Sequence, residues 1–210
     1  TGPLGDLGSA MHQGAKAAFA AINAKGGVQG RTIELATLDD AYEVPKALAN
    51  VDRFLADSSY FALFNCMGTP MIDAMLPKVI ESGIPFFAPF TGAQLSRTKT
   101  ARNVFNIRAS YADEAVKLVQ HLSTIGIQSI GIVYQNNSFG KEVFDSARQS
   151  MSRLKLPEAA AVTVENNASD AGAAAAKLAE ANPEAVVIGL AGKPTLEFVK
   201  AFRALRRGVT

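Results

Sequence analysis

The sequence is poor in the residues that bind metals or cross-link a small protein. Its 210 residues include one cysteine, Cys66, and two histidines, His12 and His121. A single cysteine cannot form a disulfide within the chain, and neither histidine has cysteine or carboxylate neighbours at the spacing of a metal site. We therefore expect no metal site, and we expect both histidines to be surface or partly buried residues of helices.

A strong net charge and a long apolar run are missing as well. Lys and Arg number 21 against 19 Asp and Glu, and a short basic cluster, Arg203, Arg206 and Arg207, is expected on a solvated helix face. Nucleic acids and anionic membranes need clustered basic residues, so neither is an expected partner. No stretch approaches the roughly 18 to 20 apolar residues of a membrane span. No signal peptide is recognisable in this chain, and a secreted protein would look the same once its signal had been removed.

Motifs of catalysis and nucleotide binding are scarce. The chain contains neither GxSxG nor GxGxxG. GLAGKPT at 189–195 departs from a phosphate-binding loop at both ends, because Val187 replaces the first glycine and Pro194 follows the lysine. Asp39 and Asp40 fit a turn at a strand end better than an acid/base pair. The sequence therefore predicts a protein that is not an enzyme and holds no cofactor.

What the sequence does contain is a regular alternation of helix and strand patterns. Apolar residues at three- and four-residue steps predict helices at 9–24, 44–55, 69–80, 111–125, 139–154, 169–181 and 195–207. Apolar or alternating runs predict strands at 33–40, 60–66, 84–89, 104–109, 129–135, 160–165 and 185–191. Such alternation is typical of an α/β fold with parallel sheets flanked by helices.

The pattern does not decide between one sheet and two. The longest stretch without apolar periodicity is 90–103, and it precedes a strand and the polar turn Arg108-Ala109-Ser110. This favours a boundary that divides the chain into lobes 1–107 and 108–210. An ordinary long loop within one sheet is an equal alternative.

Two turns after predicted strands are suited to a small anionic ligand. The first is formed by Met67, Gly68, Thr69 and Pro70, and the second by Phe90, Thr91 and Gly92. Open parallel sheets bind ligands at the carboxyl ends of their strands, where helix N–H groups point outward. Gly68 permits close approach of the backbone, Thr69 is the expected N-cap, and Pro70 fits the first helical position. A carboxylate site here and a Thr69 that merely caps its own helix both remain open.

Longer motifs carry a resemblance to a known family. INAKGGVQGRTIEL at 22–35, preceded by a TGP turn and followed by Asp39-Asp40, closely resembles the opening of the type I periplasmic solute-binding proteins of the leucine/isoleucine/valine-binding protein family. GIPFFAPFTGA, VFNIRASYADEA, IGIVYQNNSFGK and AVVIGLAG resemble later blocks in the family's order. The resemblance spans essentially the whole chain.

The resemblance implies two α/β lobes that close over a small molecule in the cleft between them. It implies an extracytoplasmic solute-binding component, periplasmic or a lipoprotein, that delivers an amino acid or similar small carboxylate to the membrane permease of an ABC importer. A ligand-sensing domain of a receptor or regulator with the same fold is the alternative.

The family also suggests roles for individual residues. The turns at Gly68-Thr69 and at Phe90-Thr91-Gly92 would hold the ligand carboxylate and ammonium, with Thr69 or the backbone replacing the serine that the family carries at Gly68. From the second lobe, Tyr111, Tyr134 and Phe139 would close over an apolar or aromatic part of the ligand, whereas Ala191 replaces a frequent tyrosine. The disulfide of some relatives would join the positions of Tyr42 and Cys66, and it cannot form here.

The length of the chain departs from the family. The sequence begins inside the TGP turn and stops after the helix at 195–207, where relatives continue. The resemblance therefore implies a fragment or a truncated product, which should expose sheet edges and apolar faces that are normally covered.

Overall fold

The computed structural model describes residues 1–206 and 208–210. Its helices are α1 (Gly5–Asn23), α2 (Val44–Ala56), α3 (Thr69–Ser82), α4 (Tyr111–Thr124), α5 (Ser138–Arg153), α6 (Ala171–Glu180) and α7 (Lys193–Leu205). Its strands are β1 (Leu63–Phe64), β2 (Phe86–Phe87), β3 (Val104–Phe105), β4 (Ile130–Gln135), β5 (Glu158–Val164) and β6 (Ala185–Gly189). Short 3-10 helices lie at Gly2–Leu4 and Gln94–Arg97.

The strands form two separate parallel sheets. The first has the order β1-β2-β3, with Leu63 opposite Phe86 and Phe86 opposite Val104. The second has the order β5-β4-β6, with β4 in the centre. Parallel strands joined by helices confirm the predicted α/β class. The division of the chain into lobes 1–107 and 108–210 stays a prediction.

The second sheet is covered by helices on both faces. Ile130 and Ile132 of β4 pack with residues of α4 and α5 on one face, and Val133 packs with residues of α6 and α7 on the other. All three side chains are fully buried. Burial on both faces explains why the sequence of β4 is apolar without alternation.

The first sheet is well covered on one face only. Leu63, Phe86 and Val104 are buried with residues of α2 and α3. The opposite face carries one phenylalanine from each strand in register, which we call the phenylalanine ladder: Phe64, Phe87 and Phe105. These residues are 37%, 39% and 46% exposed. The first sheet therefore carries an apolar face that is partly exposed.

The strand predicted at 33–40 is absent, so this prediction was wrong. Burial alternates from Ile33 to Ala36 and the alternation ends there, and Leu35 and Leu38 line a cavity of about 410 Å³ between the segment, α1, α2 and β1. A strand needs a partner within hydrogen-bonding distance, and this cavity separates the segment from β1. The main chain of Ile33 is held instead by the amide side chain of Asn23, with hydrogen bonds of 2.8 and 2.9 Å.

The other predicted elements are present with adjusted ends. The strands of the first sheet are shorter than predicted, and α3 continues through Pro77 and ends before Gly83, whose φ of 69° suits a glycine at this position. Helix α7 ends at Leu205. Arg207, which belongs to the predicted basic cluster, lies outside the described residues. In the described part of the chain, no helix has the length and apolarity needed to cross a membrane.

Candidate functional site

A second cavity, of about 240 Å³, lies where the carboxyl ends of strands from both sheets come together. Six of the nine predicted site residues line it: Met67, Gly68, Thr69, Phe90, Tyr111 and Phe139. The remaining walls are largely apolar and include Leu7, Leu118, Val143, Val187 and Ile188. Pockets for drug-sized ligands have volumes of roughly 300–1,000 Å³. A cavity of this volume therefore suits a molecule of about the size of an amino acid.

Gly68 shapes the turn that enters the cavity from β1. Its φ is 99°, a backbone conformation that favours glycine, and a Cβ here would lie 2.5 Å from Met71 Cε and 2.7 Å from the ring of Tyr42. Gly68 is the N-cap of α3, and Thr69 is the first helical residue. The prediction that Thr69 caps α3 was wrong, because the chain enters the helix one residue earlier and the cap makes no side-chain hydrogen bond.

The Thr69 hydroxyl joins the two predicted turns instead. Thr69 Oγ1 lies 2.7 Å from Thr91 Oγ1, and both residues are almost fully buried. Thr91 Oγ1 also accepts a hydrogen bond of 3.0 Å from the Ala93 N–H. Among the described residues, Thr91 and Gly92 do not line the cavity. Phe90 is thus the residue of the second turn that lines the cavity. Thr91 contributes indirectly, through its hydrogen bonds to Thr69 and to the Ala93 N–H.

Aromatic side chains of the second half of the chain complete the wall. The ring of Tyr111 lies 5.2 Å from that of Phe139, between ring centroids. A Cβ on Gly92 would meet the Tyr111 ring at 2.7 Å, so the absence of a side chain there allows Tyr111 to pack against the turn. The main chains of the same two residues are joined by a hydrogen bond of 2.9 Å. Tyr111 is thus held in place by contacts with Phe139 and with Gly92.

Tyr134 is placed elsewhere. Its ring stacks on Phe144 at 4.5 Å between centroids, and it packs against the core formed by β4, α4 and α5. It is not among the described residues that line the cavity. The predicted contact between Tyr134 and the ligand stays a prediction. The position of the Tyr134 ring against the core does not support it.

Sequence reasoning missed Arg108 and Glu114, which are the charged side chains among the described residues lining the cavity. Arg108 Nη2 donates to Glu114 Oε1 at 2.5 Å. Arg108 Cζ also lies 5.6 Å from the centroid of Phe90 and 5.1 Å from that of Tyr111. The available signal was an arginine three residues before Tyr111 and six before Glu114, at the start of a helix, which a search for turns after strands does not single out.

Two groups near the turns have raised pKa values. Burial raises the pKa of Tyr42 to about 12, with a smaller contribution from the nearby Tyr111. Burial likewise raises the pKa of the Cys66 thiol to about 12. Both groups are therefore neutral at physiological pH. Tyr42 presents a neutral, largely apolar ring to the cavity.

An apolar cavity at the strand ends of parallel sheets, bordered by helix N-termini, is a common setting for a small-molecule site. Residues 1–207 match the family described as periplasmic binding protein, and the chain belongs to this family. Its members are binding proteins and not enzymes.

Individual relatives agree with this membership. Leu/Ile/Val-binding protein homolog 3 of Brucella melitensis is 23% identical over 191 residues, which are 90% of this chain and 51% of the relative. A substrate-binding periplasmic protein from Ralstonia solanacearum is 31% identical, with a TM-score of 0.92 over 100% of this chain and 59% of its own. For a possible leucine/isoleucine/valine-binding protein from Rhodopirellula baltica, the identity is 30% and the TM-score 0.87, over 97% and 57% of the two chains.

The resemblance to the leucine/isoleucine/valine-binding protein family is thereby confirmed. The chain spans about half the length of the Brucella relative and under three fifths of the two solved structures.

Proposed function

We propose that this protein binds a small carboxylate, such as an amino acid, in the 240 Å³ cavity. We further propose that it acts outside the cytoplasm and delivers this ligand to the permease of an ABC importer. The observation that carries the proposal is a cavity bordered by both sheets and by the starts of α3, α4 and α5. Membership of the periplasmic binding protein family and the names of the relatives support it.

The start of α3 favours a carboxylate over a neutral group. Helix N-termini carry free N–H groups and a positive partial charge. In α4 the Ser110 hydroxyl accepts from the Asp113 N–H, and in α5 the Asn137 side chain accepts from the Gly140 N–H. Helix α3 has no such side-chain cap. Because Pro70 has no N–H, the Thr69 N–H is the donor at this helix start that a ligand carboxylate would satisfy.

The walls of the cavity favour an apolar or aromatic body for the ligand. Phe90, Tyr111 and Phe139 line the same space, and aliphatic side chains form most of the remainder. Burying such a body stabilises the complex by roughly 25 cal/mol per Å² of apolar surface, before the costs of association are subtracted. Ligand binding then favours the state in which both halves contact the ligand, because that state binds it more tightly.

Isothermal titration calorimetry of the purified protein with leucine, phenylalanine and benzoate tests this function. We expect saturable binding of at least one of the three, with a negative heat-capacity change from the burial of apolar surface. Replacing Phe139 by alanine should weaken this binding, whereas replacing Phe61, an exposed residue outside the cavity, should not. Binding of sugars alone would contradict the proposed function.

A further inference from the structure

Arg108 stands at the point where the chain passes from the first sheet to the second. It lies between β3 and α4, in the segment that precedes Tyr111. Its backbone is fixed by Arg97, whose Nη2 donates to the carbonyl oxygens of Arg108 at 2.8 Å and of Ala109 at 3.3 Å. A guanidinium carried by a fixed backbone can present its charge to the cavity in a defined direction.

The guanidinium of Arg108 lies over two rings of the cavity wall, those of Phe90 and Tyr111. Phe90 comes from the turn after β2, and Tyr111 is the first residue of α4. Cation–π contacts of this kind hold the planar group and leave its N–H donors directed outward, in the plane of the group. The side chain of Arg108 is 31% exposed and lines the cavity.

Glu114 engages only part of this group. The ion pair joins one nitrogen, Arg108 Nη2, to one oxygen, Glu114 Oε1. A guanidinium has five N–H donors and can bind a second carboxylate in a bidentate manner. The side chain of Glu114 is 46% exposed, so water can solvate its charge if the ion pair with Arg108 weakens.

We propose that Arg108 is a specificity-determining residue that binds the carboxylate of the ligand, with Glu114 as an internal competitor for the same N–H donors. This inference rests on the proposed function and deepens it. Arg108 supplies the formal positive charge, and the uncapped start of α3 adds its dipole. The cavity then selects carboxylates over neutral molecules of the same shape, and Glu114 lowers the affinity for all of them.

Calorimetry with matched ligand pairs tests the role of Arg108: leucine with leucinamide, phenylalanine with phenylalaninamide, and benzoate with benzamide. For the carboxylate that binds the wild-type protein, Arg108→Met should lower the affinity by about 10- to 100-fold, because one charge-assisted hydrogen bond or more is lost. The affinity for the paired amide should change by less than about threefold, because a neutral amide forms no charge-assisted hydrogen bond with the guanidinium. Arg108→Lys should give an intermediate loss.

Glu114→Gln is the complementary variant, since it removes the competing charge and leaves the guanidinium in place. It should raise the affinity for the carboxylate severalfold. Arg102→Met serves as the control, because Arg102 is exposed, does not line the cavity and changes the net charge by the same amount. Circular dichroism melting checks that each variant is folded. If Arg108→Met does not fold, Arg108→Lys and Glu114→Gln carry the test.

The possible results separate this inference from the proposed function. A wild-type protein that binds no carboxylate contradicts the proposed function, and the role of Arg108 with it. If the wild type binds a carboxylate and Arg108→Met binds it equally well, only the role of Arg108 is overturned. Equal losses for the carboxylate and its amide also overturn it, because Arg108 would then only shape the wall.

Discussion

Gly68 determines the shape of the turn at the mouth of the candidate site. Its positive φ and the lack of room for a Cβ both exclude a side chain at this position. We expect Gly68→Ala to lower the free energy of unfolding by about 1–3 kcal/mol, the cost of a strained backbone for a residue other than glycine. Urea denaturation measures this change.

Gly14 of α1 provides the matched control for this substitution. A Cβ added there meets no atom within 4 Å. Gly14→Ala should therefore raise the stability by roughly 0.5–1 kcal/mol, the ordinary preference of a helix for alanine. Equal effects of the two substitutions would contradict the account of the turn.

Cys66 offers a second test at the scale of single residues. Its pKa of about 12 means that very little of the thiol is ionised at pH 8, and the thiolate is the reactive form. Because burial causes the shift, unfolding should restore an ordinary pKa near 8.5. We expect iodoacetamide at pH 8 to label the native protein at least about 100-fold more slowly than the protein in urea. Similar rates in both states would show that the thiol is not shielded.

At the scale of elements, the hydroxyl pair of Thr69 and Thr91 joins the start of α3 to the turn after β2. Replacing Thr91 by valine removes a partner from both the Thr69 hydroxyl and the Ala93 N–H, and should cost about 1–3 kcal/mol. Replacing Thr69 by valine should cost less, because Thr91 Oγ1 still accepts from the Ala93 N–H. The double variant removes both hydroxyls, so its cost should fall short of the sum of the single costs by about 1 kcal/mol. Chemical denaturation of the four proteins measures this coupling. Strictly additive costs would mean that the turns are not coupled through this bond.

The predictions from sequence succeeded where a local pattern determines the structure. The helices and the buried strand β4 follow from periodicity and from apolar runs, which depend on residues close together in the chain. The strand at 33–40 failed because pairing depends on a neighbour, and a cavity occupies the place beside β1. Thr69 failed as a cap because the sequence does not reveal that Gly68 adopts a positive φ one residue earlier.

The candidate site was predicted in part for a similar reason. Turns after strands could be found from the chain itself, and the family resemblance added Tyr111 and Phe139. Whether Tyr134 faces the cavity or the core depends on its packing with Phe144. The position of the Arg108 guanidinium depends on Phe90 and Tyr111, which come from different elements of the chain. Such contacts between distant residues leave no periodic signal.

At the scale of the whole molecule, the phenylalanine ladder gives the first sheet a partly exposed apolar surface. Phe87 and Phe105 stack at 4.8 Å between centroids, and Phe19 of α1 reaches Phe64 at 5.3 Å. Contiguous exposed apolar surface binds hydrophobic dyes and promotes association. We expect Phe105→Lys to reduce the fluorescence of bound anilinonaphthalene sulfonate and to cost about 1 kcal/mol of stability through the lost ring stacking.

Leu196 supplies the control for this substitution, since it is 53% exposed on α7, away from the first sheet. Leu196→Lys should leave the dye fluorescence nearly unchanged. An equal fall in both variants would mean that the dye senses net charge and not the ladder.

The central claim is that a small carboxylate binds between the two halves of the molecule, in contact with both. Isotope-edited NMR of the protein with the carboxylate that binds best in calorimetry tests this claim most directly. We predict nuclear Overhauser effects from the ligand to the ring of Phe90 and, in the same complex, to the rings of Tyr111 and Phe139. Effects confined to Phe54 and Met75, which line the larger cavity beside β1, would contradict it.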